Sequence, residues 1–587
     1  MERAVLPQEL AGDGEPVMRP SLRPIGLASG RASPSRLSAD AAVNQAERPA
    51  VSAGAFHEAV RGEGPERTSA RGQAALVTLI AALGLLVACA LLARIMSFAI
   101  RHDEQFYVPA GALFTFAGLY RDFGFNHLPN LPILLSALYG VTGTHHYLLA
   151  GRLLTWVLWL VGGAVLALTA RLATRSTLAG VVAIAFYVTN PVFLGPTGMT
   201  VTNNFLPVVL SLLGTYVFLF GSGCATPGRR AVCMALSGFV VAAAVGCKAN
   251  YVFLVPCFGC AVLLAPSPSG IERVWRVVLP FTAGALVGAL PALAYFISDP
   301  AGMWAHIVRY HRVAQIAYWA GDDDKVVGIG QKLGLAHQLW ILGAGGLIPL
   351  GVATLLCVMG VRRGPRAMLA AVANLPFLLV AALVALGALV SFVPTPSFPQ
   401  YYAPPIMFGI VLLLVVHGML DQAEERQAVP FLIALLAFAT LAGAPQLMSG
   451  IGRLAHPASW TGVRVHRDAQ QLARQRGRRP GPVATLAPLY PIEAGLPIYP
   501  ELAGGPFIYR VGDLLRASDA VHYRYLASPT SITSVLAATP PSAILLGMEG
   551  DLERPFAAFA RAHGFREVLQ PVSDGRSTRT ILYLAPD

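Results

Sequence analysis

Long apolar runs dominate the pattern of hydrophobic and polar positions from residue 74 onward. A run of roughly 20 apolar residues is long enough to cross a bilayer as a helix, and the chain has about eleven of them. The predicted spans are 74–98, 147–170, 177–195, 201–221, 230–247, 250–265, 275–297, 336–360, 367–393, 402–420 and 428–447. The pattern therefore predicts an all-α polytopic membrane region over residues 74–447.

Clusters of arginine fall in alternate connections between these spans and predict their orientation. The clusters comprise Arg171, Arg175, Arg229, Arg230, Arg273, Arg276, Arg362, Arg363 and Arg366. Short cytoplasmic loops of membrane proteins carry an excess of Lys and Arg. We therefore expect a multi-pass protein of the plasma (inner) membrane, with the N-terminus in the cytoplasm. Two sizeable loops, 98–146 and 298–335, would then lie outside, together with everything after residue 447.

The two ends of the chain differ from this apolar region. Residues 1–73 are rich in Arg, Pro, Gly and Ser, which is typical of a disordered tail, here cytoplasmic. Residues 448–587 alternate short apolar runs with helical patterns, which predicts a small extracytoplasmic α/β domain. Its predicted strands are Val483–Ala487, Ala543–Leu546 and Thr580–Leu584, and its predicted helices are Ile532–Ala538 and Leu552–His563.

The composition argues against several classes of function. Of the 587 residues, 55% are hydrophobic and only 13% are charged, whereas a soluble protein has about 25% charged residues. The composition therefore disfavours a purely soluble enzyme, a nucleic-acid-binding module and a disordered scaffold. The net charge of +12 is explained by arginines that orient membrane helices. The chain has neither a dinucleotide-binding glycine motif nor a P-loop, so nucleotide binding has no support.

The acidic residues between positions 98 and 447 all fall outside the middle of the predicted spans. A proton- or sodium-coupled transporter usually keeps a carboxylate within the membrane. The pattern therefore favours a site at the outer membrane face. The first outer loop has the densest set of polar residues: Arg101, His102, Asp103, Glu104, Tyr107, Arg121, Asp122, Asn126 and His127.

Asp103 follows the first span by about five residues, which places it at the membrane boundary. A carboxylate there can act as a general base towards a sugar or lipid hydroxyl. Alternatively, Asp103 and Glu104 pair with Arg101 and only mark the interface. His102 and His127 could bind a metal, although isolated interfacial histidines are commoner. The sequence points to no cofactor, and a divalent metal has no support beyond these two residues.

Other polar residues mark the predicted outer ends of later spans. Lys248 is one of three lysines against forty arginines and lies in a very short turn. It could meet a phosphate or simply extend to the membrane surface. Asn203 with Asn204, and Tyr401 with Tyr402, could bind sugar hydroxyls or anchor the interface. The 298–335 loop carries aromatic and histidine residues beside Asp322–Asp324. It is either an aromatic interface belt or a flexible loop that closes over a substrate.

Five short motifs stand out in order along the chain. They are His102-Asp103-Glu104-Gln105-Phe106-Tyr107, Asn126-His127-Leu128-Pro129-Asn130-Leu131-Pro132, Gly151-Arg152-Leu153, Gly246-Cys247-Lys248 and Pro399-Gln400-Tyr401-Tyr402-Ala403-Pro404. Together they resemble the GT-C membrane glycosyltransferases, specifically the bacterial branch related to protein O-mannosyltransferases and aminoarabinose lipid A transferases, over roughly residues 74–447. A departure lies at Met199-Thr200-Val201-Thr202-Asn203-Asn204, where the family often has an aspartate. This segment therefore offers no carboxylate to bind a metal.

The resemblance implies an enzyme that takes a sugar from a polyprenyl phosphate. It would transfer the sugar with inversion to a lipid, glycan or protein acceptor outside the membrane. Asp103 would be the catalytic base, with Glu104 beside it. The implied substrate contacts are Tyr107, His127, Arg152, Lys248, Tyr401 and Tyr402. Two alternatives stay open: a flippase or exporter of lipid-linked glycans, and a non-catalytic assembly protein with the same fold.

Overall fold

The computed structural model describes residues 70–320, 322, 325–570 and 580–586. The predicted tail at 1–73 lies outside the described residues as far as position 69. Its last positions belong to the first helix, Ala70–Ser97. Asp323 and Asp324, which were predicted to lie in the second outer loop, are also outside the described part of the chain.

Seven helices of the described chain are long and apolar enough to cross a membrane. They are Val77–Ser97, Tyr147–Ala173, Pro227–Val245, Gly270–Ser298, Gly343–Arg363, Pro399–His417 and Gln422–Ala455. A further candidate is the pair Pro365–Val372 and Leu375–Ser391, which is bent by 84°. The chain is thus a multi-pass membrane protein, as its composition predicts.

The remaining predicted spans coincide with shorter apolar helices. Thr177–Thr189, Leu206–Ser222 and Ala249–Leu264 overlap the predicted spans 177–195, 201–221 and 250–265, and two of them extend one residue beyond their spans. Thr177–Thr189 has 13 residues, which as a helix reaches about 20 Å against a hydrocarbon core of about 30 Å. By length alone, these three helices are too short to count as membrane crossings. The number of eleven crossings therefore stays a prediction. A fourth short helix, Asn130–Thr142, lies within the predicted outer loop 98–146.

Glycine allows two of the long helices to pack at close range. A Cβ added at Gly284 or Gly288 would overlap the carbonyl oxygen of Ala235 or Phe239 on the neighbouring helix. A Cβ at Gly238 would in turn overlap the carbonyl of Phe281. Small residues four apart let helix backbones approach in a membrane, where packing rather than the hydrophobic effect drives association.

Short helices connect the spans on the side of the candidate site. The 98–146 segment contains Glu104–Ala112. The 298–335 segment contains Pro300–Trp304, Ala305–Ala314, Gln315–Trp319 and Ile329–Trp340. Its first part is therefore helical, not the flexible loop suggested by one interpretation of the sequence. The physical reason is burial, because Tyr310 and Ala314 are 0% and 1% exposed and pack against the apolar cluster of Ile508, Val511 and Tyr523.

The C-terminal segment, residues 448–586, contains a four-stranded sheet. The strands are β1 (Val483–Ala484), β2 (Ala543–Leu546), β3 (Arg566–Gln570) and β4 (Thr580–Leu584), in the order β1-β2-β4-β3. β1 pairs with β2 in parallel, and β4 is antiparallel to both β2 and β3. Its helices are Thr461–Arg476, Leu489–Glu493, Gly505–Tyr509, Ala517–Ala520, Ile532–Ala538 and Arg554–Ala562. The three predicted strands and both predicted helices are present, while β3 was not predicted.

The C-terminal segment packs directly on the connections between the membrane helices. The backbone N–H of Leu489 donates to Gln105 Oε1 at 3.1 Å, and the N–H of Leu148 donates to Glu493 Oε1 at 2.8 Å. The Tyr310 hydroxyl donates to the carbonyl of Phe507 at 2.7 Å. These hydrogen bonds hold the segment against the 98–146 and 298–335 connections and against the start of the helix Tyr147–Ala173. Half of the predicted site residues lie in the 98–146 connection.

Candidate active site around Asp103

Asp103 lies where the chain turns from the first long helix into the short helix Glu104–Ala112. It occupies the N-cap position, yet its side chain caps no backbone N–H, although aspartate is one of the preferred capping residues. The half-buried carboxylate forms no hydrogen bond and no ion pair within 4 Å to any residue that the structure describes. Its two oxygens are therefore available to a substrate.

The electrostatic surroundings of Asp103 combine burial with positive charge. Burial raises the pKa of the Asp103 carboxyl, and the nearby charges of Lys248, His102, Arg101 and Arg510 act in the opposite direction. Burial alone would favour the neutral acid, and the cations favour the carboxylate. A carboxylate with a raised pKa beside cations is a suitable general base.

Lys248 lies in the short turn before the helix Ala249–Phe253, and its charge acts on Asp103. Its ammonium group donates to Asn204 Oδ1 and lies 4.5 Å from the centre of the Tyr401 ring. Burial lowers the pKa of Lys248 to about 7, and the charge of Asp103 partly offsets this effect. Lys248 is thus a buried amine that contacts an amide and an aromatic face within electrostatic range of Asp103, rather than a side chain extended to the membrane surface.

The turn that carries Lys248 requires a glycine at position 246. The backbone N–H of Asn130 donates to the carbonyl of Gly246 at 3.1 Å, and Asn130 Nδ2 donates to the carbonyl of Ala243 at 3.0 Å. A Cβ at Gly246 would overlap the Asn130 amide. Glycine at this position therefore lets the helix Asn130–Thr142 dock against the turn that carries Lys248.

Tyr107, His127 and His311 form an aromatic wall beside these charges. The rings of Tyr107 and His127 stack with centres 5.4 Å apart, and His127 and His311 lie 5.1 Å apart. Burial lowers the pKa of His127 well below its ordinary value, and the charges of His311 and Lys248 add to this effect. Burial also raises the pKa of Tyr107. The wall therefore presents a neutral imidazole and a protonated phenol.

Glu104 and Arg152 occupy a separate, fully buried position. Arg152 Nε and Nη2 donate to Glu104 Oε1 and Oε2 at 3.0 and 2.8 Å, and both side chains are 0% exposed. Arg152 Nη1 donates to the carbonyls of Ile95 and Phe98, and Glu104 also accepts from the backbone N–H groups of Arg101 and Val201. Neither side chain has an accessible polar atom, so the pair joins three backbone segments instead of lining a cavity.

The two adjacent tyrosines at 401 and 402 point into different surroundings. Tyr401 presents its ring to Lys248. Tyr402 is 0% exposed, its hydroxyl donates to the carbonyl of Lys332 at 3.2 Å, and its ring lies 5.2 Å from that of Trp340. The structure therefore brings Tyr401, but not Tyr402, to Asp103 and Lys248.

Two solved structures resemble this arrangement of helices over most of the chain. ArnT from Cupriavidus metallidurans in the apo state superposes with a TM-score of 0.58 at 13% identity, over 88% of this chain and all of that chain. The same protein bound to undecaprenyl phosphate superposes with a TM-score of 0.55 at the same identity and coverage. The chain has the GT-C fold. The fold expected from the sequence motifs is thereby confirmed.

A further solved structure is less similar, and the comparisons with protein families and curated proteins found no match. The oligosaccharyltransferase of Archaeoglobus fulgidus in the apo form reaches a TM-score of 0.45 at 11% identity, over 81% of this chain and 71% of that chain. No protein-family model matches the chain, and no curated protein matches it. The GT-C fold is therefore established by structure rather than by sequence similarity.

Within this GT-C fold, sequence reasoning missed one charged residue of the site. Arg510 comes from the C-terminal segment, and its guanidinium carbon lies 4.8–5.2 Å from the ring centres of Phe507, Tyr318 and Trp319. No local motif marks it, because it is about 400 residues from Asp103 and reaches the site only through tertiary packing. We call the following residues the Asp103 cluster: Asp103, Tyr107, His127, Lys248, His311, Tyr401 and Arg510.

A metal site is a separate question. In the described ranges, no group of three or more His, Cys, Asp or Glu side chains is arranged to hold a metal ion. His102, one of the two histidines considered for that role, instead contacts Glu549 through Nδ1 at 2.6 Å. The second, His127, belongs to the aromatic wall described above. In the structure, His102 therefore contacts Glu549, and His127 stacks on Tyr107.

Proposed function

We propose that this chain is a membrane glycosyltransferase that moves a sugar from a polyprenyl-phosphate-linked donor to a hydroxyl group of an envelope glycolipid, glycan or protein. The observation that carries the proposal is the unpaired carboxylate of Asp103 beside the buried cation Lys248. The GT-C fold supports it, and ArnT, which has the same fold, was solved with undecaprenyl phosphate bound.

The reaction needs a proton acceptor and a cation, and the cluster offers both. The acceptor hydroxyl attacks the anomeric carbon of the sugar, and Asp103 takes the hydroxyl proton as the new glycosidic bond forms. The bond between the anomeric carbon and the phosphate oxygen breaks, and its electron pair leaves with the lipid phosphate. Lys248 offsets the charge that develops on that phosphate. Attack opposite the leaving group inverts the anomeric centre.

The other predicted site residues divide into two groups in this proposal. Tyr107, His127 and Tyr401 line the space in which the sugar and phosphate would lie. Glu104 and Arg152 have a structural role, because their mutual pairing joins the backbone segments next to Asp103. Tyr402 supports the fold beside Trp340. These assignments refine the roles that the family resemblance implies.

The alternating arginine clusters also support a specific topology. We propose an inner-membrane location, a cytoplasmic N-terminus, a membrane region at 74–447 and an extracytoplasmic C-terminal domain at 448–587. Reporter fusions after Arg363 should be active only in the cytoplasm, and fusions after Pro482 only outside it. A cytoplasmic signal after Pro482 would put the site on the wrong side of the membrane and contradict the proposal.

Envelope chemistry provides the direct test of the function. The envelope glycolipids and glycoproteins of cells with and without this gene are compared by mass spectrometry. We expect one glycosylated species to lose a single sugar residue without the gene. Wild-type protein should restore it, and Asp103→Asn, at matched expression, should not. Full restoration by Asp103→Asn would contradict catalysis and favour a flippase or an assembly role.

A further inference from the structure

Arg510 reaches the site from a part of the chain to which the proposed reaction assigns no role. It directly follows the short helix Gly505–Tyr509 of the C-terminal segment. Its positive charge lowers the pKa of Asp103, which opposes the effect of burial there. It also lowers the pKa of His311, which adds to the effect of burial. Arg510 therefore lies within electrostatic range of the same space as Lys248, but comes from a different structural unit.

Buried contacts fix the backbone that carries Arg510. The carbonyl of Phe507 accepts the Tyr310 hydroxyl, and the Phe507 ring lies 5.0 Å from that of Phe106. Ile508 is 1% exposed and packs in the cluster that contains Tyr310. The position of Arg510 is thus set by the helix of Asp103 and by the 298–335 segment together, rather than by a free surface loop.

The guanidinium group is held by rings and lacks an acidic partner. Tyr318, Trp319 and Phe507 surround it at 4.8–5.2 Å, an arrangement that orients a guanidinium plane without neutralising it. No carboxylate of the described chain forms an ion pair with it. Its Nε atom is buried and has no hydrogen-bond partner among these residues. A buried donor without an acceptor is costly unless a ligand supplies one.

We propose that Arg510 is a second phosphate-binding residue, which the C-terminal segment contributes to the site for the lipid-linked donor. This inference rests on the proposed function. A departing polyprenyl phosphate carries more negative charge than Lys248 alone can offset. Arginine matches phosphate oxygens with its planar fork, whereas lysine acts as a point charge. The two cations would hold the phosphate between the membrane region and the C-terminal segment.

The test measures lipid binding by purified full-length protein. Native mass spectrometry measures the affinity for undecaprenyl phosphate and, separately, for undecaprenol, which differs only in lacking the phosphate. Arg510→Gln should weaken binding of undecaprenyl phosphate about 10- to 100-fold, the usual range for a hydrogen bond to a charged group. Binding of undecaprenol should not change. Arg510→Lys keeps the charge without the fork and should lose less, and the exposed Arg516→Gln should match wild type.

The outcomes separate this inference from the proposed function. Wild-type protein that does not prefer undecaprenyl phosphate over undecaprenol contradicts both. A wild-type preference that Arg510→Gln retains in full overturns the role of Arg510 alone and leaves the proposed function standing. An equal loss of affinity for both lipids in Arg510→Gln and Arg510→Lys, with lower thermal stability, indicates a structural role and also overturns the inference.

Discussion

Asp103 and Glu104 are neighbours in sequence, but the chain directs their carboxylates into two different regions. Glu104 is fully buried and accepts hydrogen bonds from Arg152 and from two backbone N–H groups. Asp103 is half-buried and unpaired among the described residues, with cations nearby. The charge of Glu104 is paired within the protein, whereas the carboxylate of Asp103 is free to contact a bound ligand. The comparison separates a residue that holds the fold from one that is available for chemistry.

The energetics of the two regions follow from this difference. A buried ion pair contributes little net stability when intact, but the loss of one partner leaves an unpaired buried charge. An unpaired, partly buried carboxylate near cations does not optimise stability, and such groups concentrate at functional sites. Substitutions at the two positions should therefore change different quantities: activity at Asp103 and stability at Glu104.

The largest effect is expected for Asp103→Asn, which keeps the shape and removes the proton-accepting charge. Transfer from a polyprenyl-phosphate sugar should fall about 10²- to 10⁴-fold, the typical contribution of general-base catalysis. The melting temperature should not fall, because no partner of Asp103 is lost. The measurement is the turnover rate of purified variants. Asp122→Asn is the matched control, because Asp122 pairs with Arg121 at the surface. A wild-type rate for Asp103→Asn would refute the catalytic role of Asp103.

Glu104→Gln should have the opposite profile. It leaves Arg152 buried with its charge uncompensated, which typically costs about 3–5 kcal/mol of folding stability. We expect a large drop in melting temperature, measured by thermal unfolding in detergent, and activity that falls in proportion to the folded fraction. The double variant Glu104→Gln with Arg152→Met removes both charges and should recover part of the stability. An unchanged melting temperature in Glu104→Gln would show that the pair does not hold the fold.

The same comparison shows what the sequence could and could not predict. Asp103, Glu104 and Arg152 were all identifiable as polar residues in an apolar context, and the apolar runs located the helices. Sequence spacing could not tell which carboxylate pairs with Arg152, because the two candidates are adjacent and the partner is 48 residues from Glu104. Arg510 was not predictable either, since it reaches the site through tertiary contacts such as the packing of Phe507 against Phe106.

Lys248→Met tests the cation that faces Asp103. Loss of a charged hydrogen-bond donor typically costs about 1.5–3 kcal/mol, so we expect donor affinity to fall by about one to two orders of magnitude. Folding should stay intact, because removing a buried cation removes a desolvation cost as well. The measurement is KM for the lipid-linked donor. Lys332→Met is the control, since that lysine bonds to the carbonyl of Phe392 elsewhere, and an unchanged KM in Lys248→Met would end the phosphate role.

The smallest expected effect is the pH dependence, and it sharpens the contrast between base and cation. Asp103 must be ionised to accept a proton, so kcat/KM should fall as pH drops through its pKa, which lies above the ordinary value of about 3.9. Lys248 must be protonated, and its pKa is about 7. The profile should therefore fall again above neutral pH, by about tenfold per pH unit, because kcat/KM reports the free protein.

Lys248→Arg assigns the alkaline limb of that profile. Arginine stays protonated throughout this range, so the decline above neutral pH should vanish while the acid limb remains. Donor binding favours the charged lysine and should move the corresponding limb of kcat to higher pH than that of kcat/KM. An alkaline limb that persists unchanged in Lys248→Arg would have to come from another group. Such a result would show that deprotonation of Lys248 does not limit transfer in this pH range, and the role of its charge would rest on Lys248→Met.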